Sequence, residues 1–331
     1  MPTAREARLA VAGLGRIGRL HASNVATRVS GARLSAVADP VEPLARNVGA
    51  RHGVPWTTSL DELLGGPALD GVVIAAPSTV HAELVARAAA AGRHVFCEKP
   101  LGLDADDCSA AVTAAAAAGI ALQVGFQRRF DPDWQGLKGA LDAGSIGALD
   151  VFRCSHRNAQ PPRPRAGLGD VFVDVAVHDL DAARWIAGEV VEVSAATRAG
   201  EEAAAVLSLR FESGALGVVD IHRNAGYGFE CSAELVGSGG TIRCGYAGRK
   251  GDVELLRDGA ATAALVQDHA ERHAAAYVAE LEHFATVAAG RAQPCVGGAD
   301  AVAALRLADV ARRSAAIGAP LAVHEETARA I

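Results

Sequence analysis

LAVAGLGRIG, residues 9–18, joins a short apolar run to a GxGxxG pattern and then to a helix-favouring segment. The run reads as a buried strand. Glycines at 13, 15 and 18 permit a tight turn, close approach of the backbone to a pyrophosphate, and close packing of the next helix on the strand. Taken alone, the pattern also describes an ordinary turn. Its surroundings separate the two readings. Asp39 closes the next strand, LSAVAD (34–39), about 20 residues beyond the turn, where a ribose-binding carboxylate belongs. A carboxylate there accepts hydrogen bonds from ribose hydroxyls and repels a 2′-phosphate. Pro40 and Val41 follow, so no arginine stands ready for that phosphate. The expected cofactor is therefore NAD rather than NADP.

Outward from this turn, GVVIAAP (71–77), HVFCEKP (94–100) and IALQVGF (120–126) read as further strands. Alanine-rich helical segments at 79–91 and 104–118 separate them. Strand and helix in alternation predict a doubly wound parallel sheet, a Rossmann domain over residues 1–126. After Gly147 the pattern changes. LDVFRCSHRN (149–158), AAVLSLRF (204–211), ALGVVDIHR (215–223) and FECSAELVG (229–237) are longer strands, the last three with no helix between them. That succession predicts an α/β domain over 127–331 with a large, mainly antiparallel sheet. Helices are expected at about 174–187, 270–289 and 299–317.

The bulk properties narrow the class. With 331 residues, half of them hydrophobic and 21% charged, the chain has material for two cored domains. A net charge of -6 gives no reason to expect nucleic acid or an anionic membrane as partner. The longest bland run, residues 109–122, is mostly alanine and falls short of a membrane span. No targeting segment is expected. Six cysteines without a CxxC pair fit a reduced, cytoplasmic protein with neither disulfide frame nor zinc site.

Two further stretches carry candidate chemistry. In HVFCEKP, Glu98 and Lys99 stand at the carboxyl end of a strand, where open parallel sheets bind ligands. A lysine there is either a solvated surface residue or a cation near the reacting end of the dinucleotide. In FVDVAVHDLD (172–181), Asp174, His178 and Asp181 are spaced four and then three residues apart, so a helix sets them on one face. Val173, Val177 and Leu180 form the adjacent apolar stripe. Asp174 and His178 are then a buried pair bracing the helix or the wall of an active site. Asp179 and Asp181 are expected to be structural or solvated. His269 and His273 share an i, i+4 spacing, but Glu271 is misplaced for HExxH and no third ligand is evident. A solvated helical face is expected there, and no metal.

GLGRIG (13–18), AAPSTVH (75–81), EKP (98–100), GFQRRF (125–130) and DVAVHDLD (174–181) together resemble the Gfo/Idh/MocA oxidoreductase family over nearly the whole chain. SHRN (155–158) and GYGFECSAELVG (226–237) are most similar to its inositol 2-dehydrogenases. The resemblance implies a catalytic trio of Lys99, Asp174 and His178. It places Gly13, Gly15, Arg16, Ile17, Gly18, Asp39, Ala76, Pro77, Ser78, His81, Glu98, Lys99 and Gln127 at NAD. It places Arg128, His156, Asn158 and Tyr227 at a polyol, with the trio. It also implies a cis Lys99–Pro100 bond and a homodimer or homotetramer formed through open sheets. Three departures touch substrate recognition: Phe229 where a second tyrosine is common, the Pro- and Arg-rich loop 159–170, and DHAERH (268–273).

The expected function is NAD-dependent oxidation of a secondary hydroxyl of a cyclitol, myo-inositol or a related inositol or inosamine, to the ketone. His178, with an ordinary pKa near ~6.5, suits the base. Lys99 suits a cation facing developing alkoxide charge. Asp174 would orient the imidazole or bind a neighbouring hydroxyl. Three readings stay open beside this one: a pyranose dehydrogenase, an NAD-dependent glycosidase of the same family, and a non-catalytic NAD(H)-sensing protein.

Overall fold

The computed structural model describes residues 5–66, 68–159, 170–198, 203–245, 249–257 and 260–323. The proline- and arginine-rich stretch 160–169 lies outside the described residues. Six strands come first: β1 (Ala7–Ala12), β2 (Ala32–Ala38), β3 (Trp56–Thr57), β4 (Gly71–Ile74), β5 (His94–Glu98) and β6 (Leu122–Gly125). Between them run α1 (Arg16–Thr27), α2 (Glu42–His52), α3 (Leu60–Gly65), α4 (His81–Ala90) and α5 (Ala105–Ala117). All strand pairs are parallel, in the order β3-β2-β1-β4-β5-β6. That is the dinucleotide-binding order, with its switch point between β1 and β4.

Downstream lie α6 (Pro132–Asp142), β7 (Leu149–Ala159), a π-helical turn (Phe172–Ala176), α7 (Val177–Ala187), β8 (Val190–Thr197) and β9 (Ala204–Phe211). They are followed by β10 (Leu216–Ala225), β11 (Glu230–Gly237), β12 (Gly240–Cys244), β13 (Arg249–Arg257) and β14 (Ala260–Leu265). The chain continues through α8 (His269–Arg272), α9 (Ala274–Ala288), α10 (Gly298–Ile317) and β15 (Leu321–Ala322). Seven of these strands form one sheet, β12-β11-β7-β10-β9-β8-β15, antiparallel except where β10 runs parallel to β7. β13 and β14 form a separate hairpin.

The chain divides into two compact units. One comprises the residues up to Phe130 together with Ala275–Ala303; the other runs from Asp131 to Ala274 and resumes at Ala304. The return of α9 to the first unit has a packing cause. Leu281, Phe284, Ala285 and Val287 of α9 share one buried cluster with Leu9 and Val11 of β1, Val25 of α1, Val73 of β4 and Phe96 of β5. Phe96 and Phe284 stand 5.8 Å apart, centroid to centroid. Strand alternation turns Val73, Phe96 and Glu98 toward this side, and Val72 and Cys97 toward the other.

In the second unit one sheet face is covered. Phe152, Leu207, Leu209, Phe211, Val219 and Ile221 point into it, as do Leu180 and Ala183 of α7. The Ser314 hydroxyl of α10 accepts from the backbone of Ala195 in β8 at 2.9 Å, so that helix is pinned to the sheet. The opposite face leaves Val206, Leu216 and Val218 exposed, alternating with buried neighbours along β9 and β10. No helix among the described residues is long and apolar enough to cross a membrane.

Candidate active site

Two clusters, one in each unit, hold the residues singled out above. In the first, β1 runs into Gly13, whose φ of +87° disfavours any side chain. A Cβ there would lie 2.5 Å from the backbone nitrogen of Ala76, and one at Gly18 would lie 1.8 Å from the Gly13 carbonyl oxygen. Both positions demand glycine on contact grounds. At Gly15 a Cβ would meet nothing within 4 Å. This residue is the N-cap of α1, has no side chain to cap it, and is exposed beside Arg16, with Ile17 half-buried. An uncapped helix start beside open space is the arrangement that receives a phosphate.

Asp39 is buried at the end of β2. One carboxylate oxygen accepts from the Leu14 N–H at 2.6 Å and the other from the Val41 N–H at 2.8 Å. It therefore pins the glycine turn to the strand end. A carboxylate has about four acceptor positions, so two remain for a ribose. These features fit NAD.

Ala76, Pro77 and Ser78 follow β4, and Gln127 and Arg128 form a tight 3₁₀ turn, Gln127–Phe130, after β6. Both Gln127 and Arg128 are buried. His81, at the start of α4, is buried as well. Its Nδ1 lies 2.8 Å from the Pro100 carbonyl oxygen and its Nε2 2.8 Å from that of Ala76. Both ring nitrogens are thus engaged by the chain, and the ring ties the exit of β4 to that of β5. Lys99 is half-buried and precedes Pro100 through a cis peptide bond. Glu98 faces the α1 side, with one oxygen 2.7 Å from His21 Nε2 and the other accepting from the Lys99 N–H at 3.2 Å. Burial pushes its carboxyl up. The hydrogen bond from His21 and the charges of His21, Lys99 and His81 outweigh burial and hold it below the ordinary carboxylate range. Glu98 is engaged within the protein, so its nearest link to the chemistry is the Lys99 backbone.

In the second unit the candidate helix starts as a π turn. Asp170 caps it, one carboxylate oxygen accepting from the N–H groups of Phe172 and Val173, each at 2.9 Å. The predicted single helix is thus a π turn followed by α7; such widened turns favour functional positions. Asp174, in the π turn, pairs with Arg223 of β10 at 3.3 Å. His178, one turn on, is buried at the edge of α7, its ring centroid 6.3 Å from that of His156 on β7. Alternation along β7 sets Asn158 on the same face as His156.

Asp179, expected to be structural or solvated, is fully buried and structural. It accepts from the Cys154 thiol at 3.0 Å and pairs with His156 Nδ1 at 3.1 Å. A carboxylate accepts, so His156 donates through Nδ1 to Asp179, which fixes the orientation of the ring. Asp181 is also buried. Phe229 stands at the centre of a ring cluster, edge-on to His156 at 5.7 Å, His273 at 5.9 Å and His269 at 6.5 Å. The expected solvated face at 269–273 is therefore corrected. His273 is buried because Asp131 of the α6 start holds its Nδ1 at 3.0 Å, and Arg272 pairs with the same carboxylate at 2.8 Å. Burial pushes Asp131 up, but the His273 hydrogen bond and the Arg272 charge win and hold it low. Tyr227 is exposed. Its hydroxyl donates to Glu230 at 2.8 Å, and burial together with that carboxylate pushes it up to about 12.

Comparison with known proteins places both clusters in one lineage. The family model described as the oxidoreductase family with an NAD-binding Rossmann fold (GFO/IDH/MocA) matches residues 7–126. The GFO/IDH/MocA C-terminal domain model matches residues 134–243. The chain is 34% identical to scyllo-inositol 2-dehydrogenase (NAD(+)) of Bacillus subtilis, covering 96% of each sequence. It is 36% identical to myo-inositol 2-dehydrogenase of Thermotoga maritima, over 93% of this chain and 96% of that one. Among solved structures, scyllo-inositol dehydrogenase of Lactobacillus casei with bound NAD(H) and scyllo-inositol superposes with a TM-score of 0.89 at 25% identity, over 97% of this chain and all of that one.

Proposed function

The chain belongs to the GFO/IDH/MocA oxidoreductase family, and from that membership we propose that it oxidises a ring hydroxyl of a cyclitol to the ketone. It is an NAD-dependent oxidoreductase acting on CH–OH groups. The observation that carries the cyclitol reading is end-to-end similarity to two inositol 2-dehydrogenases with Lys99, Asp174 and His178 all in place.

NAD, when bound, supplies the hydride acceptor. The turn at Gly13, Gly15, Arg16, Ile17 and Gly18 holds its phosphates, Asp39 its ribose, and Ala76, Pro77, Ser78 and Gln127 the nicotinamide end. His178 removes the hydroxyl proton as the carbinol carbon loses hydride. The Lys99 ammonium stabilises the negative charge that grows on that oxygen. Asp174, paired with Arg223, accepts a hydrogen bond from a neighbouring hydroxyl. Arg128, His156 and Asn158 bind further hydroxyls, and Tyr227 completes the rim. In this division of labour residues 1–126, joined by Gln127, hold the dinucleotide, and the rest of 127–331 serves the substrate. The exposed Val206, Leu216 and Val218 on the uncovered sheet face support a homodimer or homotetramer. The free cysteines, four of them buried, support a reducing, cytoplasmic setting.

The test is NADH absorbance with NAD and a panel of inositols, inosamines and aldoses. Turnover on an inositol or inosamine is expected. Turnover on aldoses alone would replace the cyclitol with a pyranose, and release of aglycone from a glycoside without net NADH would replace the reaction class. A monomer by light scattering would remove the assembly.

A further inference from the structure

Beneath the Lys99–Pro100 bond lies a buried group of ionisable side chains that the reaction above does not use. His21 of α1, Glu98 of β5 and Glu280 of α9 place one nitrogen or oxygen atom each within 4.8 Å of one another. His21 and Glu280 are fully buried. His21 is clamped edge-on between Phe96 at 5.5 Å and Tyr277 at 5.8 Å. Gln123 of β6 donates to the Glu280 backbone carbonyl at 2.9 Å, which fixes this turn of α9 against the sheet. Neither carboxyl oxygen of Glu280 has a hydrogen-bond partner among the described residues.

We propose that His21 and Glu280 are positioning residues for Lys99, acting through the Glu98 carboxylate; the proposal rests on the dehydrogenase reading given above. Glu98 is the only one of the three that reaches the catalytic segment, through the Lys99 N–H at 3.2 Å. It must stay ionised to be a strong acceptor, and it is buried. The groups facing it are His21 from α1, Glu280 from α9, His81 at the start of α4 and Lys99 itself. Two carboxylates this close in a dry interior do not both ionise. Burial, and then the Glu98 charge, push Glu280 well above the ordinary range, and with no donor on either of its oxygens Glu280 is the member of the pair that takes the proton. The cluster therefore carries one carboxylate charge, at Glu98, held by the His21 N–H. Three buried ionisable groups cost stability that apolar side chains of the same size would not. Their position under the lysine segment gives that cost a use.

The test compares Glu280→Leu, Glu280→Gln, His21→Leu and His21→Gln in the full chain. The leucine variants fill the space without a donor. Each is expected to lower kcat about tenfold or more at pH 7 with NADH affinity, by fluorescence titration, within about twofold of wild type. The glutamine variants put an uncharged polar group back within reach of the Glu98 carboxylate and are expected to restore kcat to within about threefold. In His21→Leu the acid limb of the kcat/KM profile should move up by about one pH unit, because Glu98 loses the bond that opposes its burial. Wild-type kcat and an unmoved acid limb in both leucine variants would overturn the proposal. A second readout needs no substrate: the infrared C=O stretch of a carboxylic acid at neutral pH, present in the wild type and lost in Glu280→Gln. Absence of that band from the wild type also overturns it. An inactive wild type that still shows the band would count against the cyclitol reading and not against this cluster.

Discussion

In the proposed function Asp39 has two roles, one in the fold and one at the ribose, and Asp39→Asn weakens both. Its oxygens accept from Leu14 N–H and Val41 N–H at 2.6 and 2.8 Å. An amide keeps one acceptor and turns an NH₂ toward the other N–H. One charge-assisted bond, about 1.5–3 kcal/mol, is lost, and the remaining one becomes neutral and weaker. We expect a net loss of about 2 kcal/mol and a melting temperature lower by roughly 4–8 °C. Loss of the ribose-binding charge should weaken NAD by a further ~2 kcal/mol, about thirtyfold in Kd. Asp39→Ala leaves both N–H groups unanswered and should melt lower still. Neither variant should gain NADP, because Pro40 and Val41 offer no cation for a 2′-phosphate. Calorimetry and NAD(P)H fluorescence titration decide the matter. A wild-type melting temperature in Asp39→Asn, or an Asp39→Ala protein that binds NADP as tightly as the wild type binds NAD, would refute the double role.

The other variants probe one group each. His178→Ala should lower kcat by about 10²–10⁴ while NADH affinity holds, as stopped-flow and titration would show; normal turnover removes His178 as base. Asp179→Asn should release the His156 ring and raise KM for the cyclitol about tenfold with a smaller change in kcat; unchanged steady-state constants would leave Asp179 a packing residue. Asp70 is pushed up by burial but held down to about 2 by hydrogen bonds and charge from Arg8 and the charge of Arg5. A depressed carboxyl stabilises the fold above its unfolded pKa, near 3.8, and that contribution fades as pH falls through about 2. Asp70→Asn should therefore melt lower than wild type at pH 7, with the gap closing between pH 4 and 2; a constant gap would contradict the linkage.

The dinucleotide half was legible because its signals are local. GLGRIG, Asp39 and the alternation of strand and helix each sit within one turn or one strand. Lys99 and the pair Asp174 and His178 stand out in the sequence for the same reason, as residues of short local motifs. The supporting side chains were not. FVDVAVHDLD contains three aspartates, and spacing cannot say that Asp179 turns inward to His156 and Cys154 while Asp174 turns to Arg223. Arg223 lies near the end of β10, whose parallel pairing with β7 crosses a long stretch of chain. His269 and His273 read as a solvated face because nothing nearby announces Asp131, far upstream in sequence. AAAYVAELEHFATVA is apolar around most of its circumference, so its pattern says that it is buried but not against which sheet. Nothing local in that stretch sets Glu280 apart from Glu282 and His283.

The return of α9 to the first unit has a consequence for synthesis. Val73 and Phe96 wait for Leu281 and Phe284, which leave the ribosome only after residues 131–274. At about 5–20 residues per second, that is a delay on the order of ten seconds or more. During it the nascent nucleotide fold carries a bare apolar flank, the kind of surface that chaperones hold. A chain stalled before residue 281 should be protease-sensitive in its first 130 residues, although every glycine of the phosphate turn has already been made.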